Sequence, residues 1–472
     1  MKIEQIYTGC LAQGAYYITS KGEAAIIDPL REIKPYLERA KKDGVKIKYI
    51  FETHFHADFV SGHVDLAKAT GAKIIYGPTA KAEFDCIVAK DGEEFKVGEI
   101  TIKVLHTPGH TMESSSFLLK DENGKDTALF SGDTLFIGDV GRPDLAQKAA
   151  GMTQEQLAAI LYHSLRDKVM ILADDVIVYP AHGSGSACGK NMSKETMSTI
   201  GAQKKTNYAL RENMTEEEFV KEVTDGLLPP PAYFPMNVAM NKSGYENIDK
   251  VMERGLRELN VEEFEAAANE TDTVMLDTRD DKIFSKGFIP NSINISLDGQ
   301  FAPWVGALIP DVSQQLLLIA EPGREEETVM RLARVGYDKV TGYLKSGFEA
   351  WKSAGKEFDT INRISVSDFE KVFNKENSLV IDVRRSGEYN AEHIDGAINI
   401  PLDYLNENLA EFPKDKDFII HCGGGYRSMT AASILKSRGW NNFSEVEGGF
   451  DMIKNTKIPK TNVVCSSKAE IN

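Results

Sequence analysis

The stretch Thr53-His54-Phe55-His56-Ala57-Asp58-Phe59-Val60-Ser61-Gly62-His63 decides how the first half of this chain is read. Before it, Lys48-Tyr49-Ile50-Phe51 reads as a short buried strand. After it, Val64-Asp65-Leu66-Ala67-Lys68-Ala69 reads as a helix. The histidines and Asp58 therefore occupy a strand-to-helix turn, where side chains held by a rigid scaffold converge. That is a dense set of donors for a chain with 9 histidines. Residues further along decide between a solvated polar loop and a metal-binding one.

The length of 472 residues suggests about three domains. No run of about 18 apolar residues occurs, so no membrane span is expected. Met1-Lys2-Ile3-Glu4-Gln5-Ile6 lacks the apolar core of a signal peptide. With 5 cysteines and no export signal, reduced thiols and a cytoplasmic location are expected. The balance of 55 basic against 71 acidic residues, net −16, argues against a nucleic-acid partner.

Short strands dominate to about residue 130, with a helix from Ile33 to Asp43 ended by Gly44. Helices follow at Thr153 to Leu165 and over most of Met192 to Val223, where Thr215-Glu216-Glu217-Glu218 reads as a capping box. The pattern predicts two packed sheets with helices outside, closed by the proline-rich stretch Leu228 to Pro235. Beyond it lies an internal repeat. Phe264, Asp277, Ile289, Asn294 and Asp298 recur 105 residues later as Phe369, Asp382, Ile394, Asn399 and Asp403. The second copy opens with Ser367-Asp368-Phe369-Glu370, read as another capping box. Alternating strand and helix in each copy predicts two domains with parallel sheets. The expected boundaries are residues 1–245, 256–358 and 361–460, with a polar, frayed tail from about Thr461.

Three further motifs each follow an apolar strand: His106-Thr107-Pro108-Gly109-His110, Ser131-Gly132-Asp133-Thr134 and Tyr179-Pro180-Ala181-His182-Gly183. The set His54, His56, Asp58, His110, Asp133 and His182 resembles the metallo-β-lactamase superfamily, which implies an αββα sandwich over roughly the first 235 residues. Two-metal members carry a histidine directly after the aspartate of the first motif. Here that position is Phe59, which has no donor atom, so a mononuclear site is expected. Two histidines and a carboxylate with open positions suit non-haem Fe(II).

Gly141-Arg142-Pro143-Asp144 and Leu161-Tyr162-His163-Ser164-Leu165, added to these motifs, are similar to the persulfide dioxygenases. That resemblance implies one Fe(II) per chain held by His54, His110 and Asp133, with His56, Asp58 and His182 lining the pocket. It also implies a reaction in which a thiol persulfide, O2 and water give the thiol and sulfite. His63 reads as structural, and His106 and His163 as packing or supporting residues. Arg142 either anchors an anionic substrate group or bridges to Asp144 or Asp139. Cys188, flanked by Gly189 and Lys190, reads as an exposed, acidic thiol able to carry a persulfide beside the metal; the alternative is a buried inert thiol. Cys10, Cys86 and Cys465 read as structural or incidental.

In the second repeat copy, His421-Cys422-Gly423-Gly424-Gly425-Tyr426-Arg427-Ser428 follows the strand Phe418-Ile419-Ile420 and opens a helix from Met429 to Ser437. Backbone N–H groups and a helix N-terminus there stabilise a thiolate and a bound anion. Together with Ile381-Asp382-Val383-Arg384, Glu388-Tyr389 and Glu447-Gly448-Gly449-Phe450, the loop resembles the rhodanese sulfurtransferases over about residues 361 to 458. The resemblance implies that Cys422 carries sulfane sulfur, that Arg427 and the amides of Gly423, Gly424, Gly425 and Tyr426 hold an anion, and that Arg384 and Glu388 brace the loop. The first copy has Ala320 at the cysteine position and Glu321 beside it, so an inactive rhodanese-like domain is expected, with Asp277 and Arg279 as inherited structure.

The whole is an α/β multidomain chain, similar to bacterial fusions of a persulfide dioxygenase with rhodanese domains. Thiosulfate formation from sulfite and a Cys422 persulfide is expected, or the reverse order of sulfur flow. The persulfide carrier would be of coenzyme A, bacillithiol or glutathione type, and a homo-oligomer, dimer or tetramer, is expected from the resemblance. Two other classes share parts of the pattern. A glyoxalase II-type thioester hydrolase is opposed by Phe59, and a sensor binding persulfide without turnover is opposed by the complete ligand set.

Overall fold

The computed structural model describes residues 1–227, 229–374 and 377–461. Leu228, Cys465 and the tail after Thr461 lie outside the described residues. The chain divides into two compact units. One comprises Met1–Ile248 with Ala333–Gly336, the other Asp249–Leu332 and the chain from Tyr337.

The first unit is built on two six-stranded sheets. One runs in the order Lys2–Thr8, Gln13–Ser20, Glu23–Ile27, Lys46–Phe51, Lys73–Tyr76, Ile87–Val88. The other runs Ser198–Thr199, Ile177–Pro180, Asp126–Gly132, Ser115–Lys120, Ile100–His106, Glu94–Val97. Strand alternation with both faces buried assigns the layers. Tyr16, Ile18, Ala25 and Ile27 meet Ile102, Val104, Phe117 and Phe130 between the sheets. Their neighbours Ala15, Tyr17, Ala24 and Ile26 face the outer helices through Tyr36, Ala40 and Leu66. On the far side, Leu118, Leu129 and Val178 pack under Leu157, Leu161 and Phe219. The result is the expected helix–sheet–sheet–helix sandwich.

Local signals explain most helix ends. Lys34–Asp43 stops at Gly44, whose φ is 65°. Thr153 with Gln156 and Thr215 with Glu218 form capping boxes for Gln154–Ser164 and Glu216–Thr224. Three expectations need correction. The helical segment begins at Ile200 rather than Met192: Ser198–Thr199 pairs with the edge strand, and Ile200–Thr206 ends where the Asn207 side chain turns to the Asp139 carbonyl and the Ala209 N–H. The proline-rich stretch does not close the domain. Pro235 sits in the first turn of Phe234–Ser243, where its missing N–H costs nothing, and that helix packs on the site loop. The helix Val366–Val372 is capped by Ser365 rather than Ser367, because it is the Ser365 hydroxyl that accepts from the Asp368 N–H.

The second unit contains two five-stranded parallel sheets of identical order. They run Glu258–Leu259, Val340–Leu344, Gln315–Ile319, Thr273–Asp277, Ile293–Asn294 and Arg363–Ile364, Phe443–Val446, Phe418–His421, Val380–Asp382, Ile398–Asn399. Register confirms the repeat at residue level. Asp277 pairs with Ile319 as Asp382 pairs with His421, so Ala320 occupies the place of Cys422. Each copy also buries one Asp–Arg pair, Asp277–Arg279 at 2.6 Å and Asp382–Arg384 at 2.7 Å, with the guanidinium on Phe348 or Phe450. These pairs pin the first turn after the central strand. Among the described residues, no helix is long and apolar enough to cross a membrane.

Candidate metal centre and thiol loop

Four strand ends of the first unit deliver the histidine and aspartate motifs to one buried point. His54 follows Lys46–Phe51, His110 follows Ile100–His106, Asp133 follows Asp126–Gly132, and His182 follows Ile177–Pro180. Donor atoms of His54, His110 and Asp133 all lie within 4.8 Å of one another. Asp133 Oδ2 stands 3.4 Å from His110 Nε2 and 4.0 Å from His54 Nε2. The other ring nitrogens are engaged: His110 Nδ1 with the Arg142 carbonyl at 2.9 Å, and His54 Nδ1 with Thr53 Oγ1 at 3.0 Å. Thr53 Oγ1 in turn donates to Asp28 Oδ2 at 2.9 Å. Both histidines thus turn their Nε2 lone pairs inward, the orientation that metal ligands require. Burial, then the neighbouring His56, His110 and His182, hold His54 well below the ordinary histidine value and so neutral. Neither carboxylate oxygen of buried Asp133 has a hydrogen-bond partner among the described residues. Such orphaned donors at a convergent point fit a cation.

The remaining predicted residues take other positions. Asp133 Oδ1 faces away from the first pair, 3.6 Å from His182 Nε2, which is 3.3 Å from Asp58 Oδ2. His56 keeps a ring nitrogen within 4.8 Å of donor atoms of Asp58 and His182, and its Nε2 also stands 3.1 Å from Asp28 and 3.7 Å from Glu52. Burial pushes its imidazole down, and the Asp28, Glu52 and Asp58 carboxylates overcome this and raise it to about 9. Phe59 is fully buried with its ring 4.3 Å from that of His56.

Cys188 reaches the site, its sulfur within 4.8 Å of donor atoms of Asp133 and His182. Its expected exposure and acidity are corrected. It is 1% exposed, and burial followed by the Asp58 and Asp133 carboxylates pushes its thiol well above the ordinary range. Arg142 takes the bridging alternative. Its guanidinium grips Asp144 at 2.6 and 2.7 Å and the Ala187 carbonyl at 3.2 Å, while its N–H donates to the Cys188 carbonyl. It fastens the Cys188 segment to the wall.

His63 is buried beside Glu52 and pushed down to about 3, chiefly by burial, as a structural residue. His106 braces its own loop through the Met112 carbonyl at 2.9 Å. His163 is neither packed nor supporting: its side chain is 61% exposed and meets Glu216 at the surface. Nothing in the sequence singles out Asn241. Its amide donates to the carbonyls of His56 and Phe59, both at 2.8 Å, and its oxygen accepts from the Ser61 N–H. One side chain, 182 residues downstream of Phe59, clamps the whole turn. Only its place on a proline-started helix could have hinted at it.

In the second unit, Cys422 directly follows the strand Phe418–His421 and is 1% exposed. The Gly425 N–H donates to its sulfur at 3.1 Å, and Ser428 Oγ lies 3.4 Å from it. Gly425 has φ 109°, which lets the backbone curl over the sulfur into Tyr426–Ser437. Arg427 is paired bidentately with Glu388 at 2.5 and 2.8 Å, so Glu388 braces the arginine rather than the loop backbone. The Tyr426 hydroxyl is committed to the Ser296 carbonyl of the preceding repeat at 2.9 Å. Gly423 fixes the loop from its carbonyl, which accepts from the Asp451 N–H at 2.9 Å, and Gly424 lies at the tip with Asp451 as its nearest neighbour.

Comparison with known proteins agrees with this geometry. The metallo-beta-lactamase superfamily profile matches residues 8–182, and the rhodanese-like domain profile matches residues 260–354 and 365–456. The human mitochondrial persulfide dioxygenase ETHE1 is 30% identical over 221 residues, 46% of this chain and 78% of that protein. A hydroxyacylglutathione hydrolase of Tolumonas auensis is 35% identical over 171 residues, 35% of this chain and 60% of that protein. The crystal structure of a metallo-beta-lactamase from Staphylococcus aureus subsp. aureus COL is 32% identical, covers 72% of this chain and 98% of its own, and gives a TM-score of 0.62. Persulfide dioxygenases are thus among its relatives, and with two rhodanese-like domains behind its metal-binding domain the chain belongs to the metallo-β-lactamase superfamily.

Proposed function

We propose that the chain is a non-haem Fe(II) persulfide dioxygenase coupled to a sulfurtransferase. It oxidises a low-molecular-weight thiol persulfide, of coenzyme A, bacillithiol or glutathione type, to sulfite and converts sulfite to thiosulfate through Cys422. The observation that carries the reading is the conjunction, in one chain, of the His54–His110–Asp133 donor set with a cysteine cradled by a helix N-terminus. His54, His110 and Asp133 would hold one Fe(II), which when bound supplies the O2 chemistry that no side chain can. The chain's own residues do the rest. Thr53 and the Arg142 carbonyl fix the histidine tautomers, Asn241 holds the turn, and buried Phe59 excludes water from the His56 side. In the thiol loop, the Gly425 N–H stabilises sulfur charge, and Arg427 with the Gly423–Tyr426 amides receives the anion. Transfer is balanced: sulfite takes the outer sulfur of a Cys422 persulfide and leaves Cys422 as the thiolate.

The proposed domains span residues 1–245, 256–358 and 361–460, in a cytoplasmic homo-oligomer. The test is anaerobic iron quantification followed by O2 uptake with several thiol persulfides. About one iron per chain and persulfide-dependent uptake are expected. Thiosulfate from wild type but only sulfite from Cys422→Ser supports this order of flow; sulfite alone from both counts against it.

One observation favours a second reading, a metal-dependent thioester hydrolase like the hydroxyacylglutathione hydrolases. Asp58, His182 and Cys188 surround the free oxygen of Asp133, a fuller second donor set than the Phe59 position suggests. Two tightly held zinc ions per chain with thioester hydrolysis and no O2 uptake would establish it.

A further inference from the structure

The thiol-less repeat reaches the thiol loop of its neighbour at two places. On one side, the Tyr426 hydroxyl donates to the Ser296 carbonyl. On the other, Arg363 Nη2 pairs at 2.5 Å with Asp281, the first residue of the helix Asp281–Phe284 in the thiol-less copy. Arg363 Nε lies 2.8 Å from Glu445 Oε2. Glu445 is fully buried, and its Oε1 accepts from Ser428 Oγ at 2.6 Å. Ser428 Oγ is the group 3.4 Å from Cys422 Sγ. An unbroken line of polar atoms therefore runs from Asp281 through Arg363, Glu445 and Ser428 to the sulfur.

The Ser428 hydroxyl has one hydrogen and three acceptors in reach: Glu445, the Gly425 carbonyl at 3.0 Å, and Cys422. An ionised Glu445 takes that hydrogen, because a charge-assisted O–H···O⁻ bond is the stronger. The sulfur then keeps only the Gly425 N–H. A neutral Glu445 donates instead to Ser428 and turns the serine hydrogen to the sulfur.

We infer that Glu445, anchored by Arg363 and Asp281, is a positioning residue that holds the proton of Cys422 through Ser428 whenever the sulfur is charged. In the transfer, the Cys422 S–H proton passes to Ser428 Oγ while the Ser428 O–H proton passes to Glu445 Oε1. No bond between heavier atoms changes, and no oxidant is needed. Burial pushes the Glu445 carboxyl up, Arg363 and Ser428 pull against this, and the group stands at about 7, in range to accept and return a proton under ordinary conditions. The charged groups facing it are Arg363, with Glu447 acting on that arginine, and Asp281 behind it. The thiol-less repeat thereby gains a role, because its Asp281 opposes the pull of Arg363 and keeps Glu445 basic enough to serve.

The inference rests on reading Cys422 as the sulfur carrier, which thiocyanate formation from thiosulfate and cyanide tests separately. The direct test is the pH dependence of Cys422 alkylation by iodoacetamide in the full chain, read on the Cys422 peptide by mass spectrometry. Wild type should show two inflections, the lower near that of Glu445. Glu445→Gln and Ser428→Ala should each lose the lower one, the second with the Glu445 charge still in place. Asp281→Asn should move it to more acid pH. A single inflection in wild type, or a lower inflection surviving in Ser428→Ala, overturns the relay. An unmoved inflection in Asp281→Asn overturns the anchoring role. Absent thiocyanate with a two-step profile would sink the sulfur-carrier reading and leave the relay standing.

Discussion

Gly141→Ala perturbs the metal centre without touching a ligand. A Cβ at this position would lie 2.0 Å from the Asp133 carbonyl oxygen and 3.0 Å from His110 Nδ1. The first distance falls about 1.4 Å short of the 3.4 Å at which such contacts become ordinary. The obstructing atom belongs to the backbone, so no rotamer change relieves it, and the segment 141–142 must move. That motion carries the Arg142 carbonyl, which holds His110 Nδ1 at 2.9 Å. Overpacking of this kind costs about 1–3 kcal/mol. Loss of an outer-shell partner lowers metal affinity about 10–100-fold. Ligand positions tolerate shifts of only about 0.2 Å, so a displacement several times larger should empty the site. Iron per chain and persulfide-dependent O2 uptake should both fall by at least about tenfold on that scale. Cyanide-dependent thiocyanate formation in the same preparation should persist, showing that the chain is folded. Full iron content with unchanged O2 uptake in Gly141→Ala would refute the reasoning.

Gly449→Ala places a Cβ 2.4 Å from the Cys422 carbonyl oxygen and 2.6 Å from that of Gly423, at a φ of 51°; thiocyanate formation should be lost and O2 uptake kept, and normal thiocyanate yield would show the loop to be pliable. Cys188→Ser removes a buried thiol whose proton is held by burial and two carboxylates; persulfide oxidation should fall less than about tenfold, the scale of one hydrogen bond, whereas complete loss would make Cys188 a sulfur carrier. Burial pushes the Glu388 carboxyl up and Arg427 more than reverses it. The folded value is therefore depressed, and the pair's stabilisation is present above the ordinary 4.5 and lost as pH falls through the depressed value. Glu388→Gln should abolish that acid-side loss of thermal stability and lower the KM for thiosulfate by freeing Arg427; a raised KM would show that Glu388 orients the guanidinium instead.

What was legible in the sequence followed from local chemistry. The period-two strands, the Gly44 stop and the Thr153 and Thr215 caps act within a few residues of themselves. The repeat was legible because its offset carried a buried Asp–Arg pair in both copies, and the strand registers give Ala320 the position in its sheet that Cys422 has in the other, as the spacing required. The metal motifs were legible because each sits directly after an apolar strand. Illegible were the partners chosen across the fold. Asn241, Glu445 and Arg363 are ordinary residues in their own segments, and only tertiary contact gives them a role. The start of the helical segment read from Met192 is displaced to Ile200 for the same reason: Ser198 and Thr199 have a strand edge to pair with.

Cys188 shows what a local reading of a thiol misses. Its glycine and lysine neighbours suggested exposure, but Lys190 turns away to the carbonyls of Glu222 and Asp225, both at 2.6 Å, and Arg142 fastens the segment inward. The sulfur therefore completes a second donor set with Asp133 and His182 that spacing alone did not reveal. Whether that set holds a cation turns on charge. Without a cation, burial, Asp58 and Asp133 keep the proton on the thiol, and ligation would have to release it. A further imidazole would offset that cost, but Phe59 offers none, and His56 beside it stands 3.1 Å from Asp28. The second position thus offers His182, Asp58 and a thiol that must first lose its proton, while the first offers two oriented imidazoles and a carboxylate whose Oδ2 faces both. Metal content should follow that asymmetry: in metal titration of the stripped protein, one equivalent binds tightly, and a second equal in affinity would contradict it.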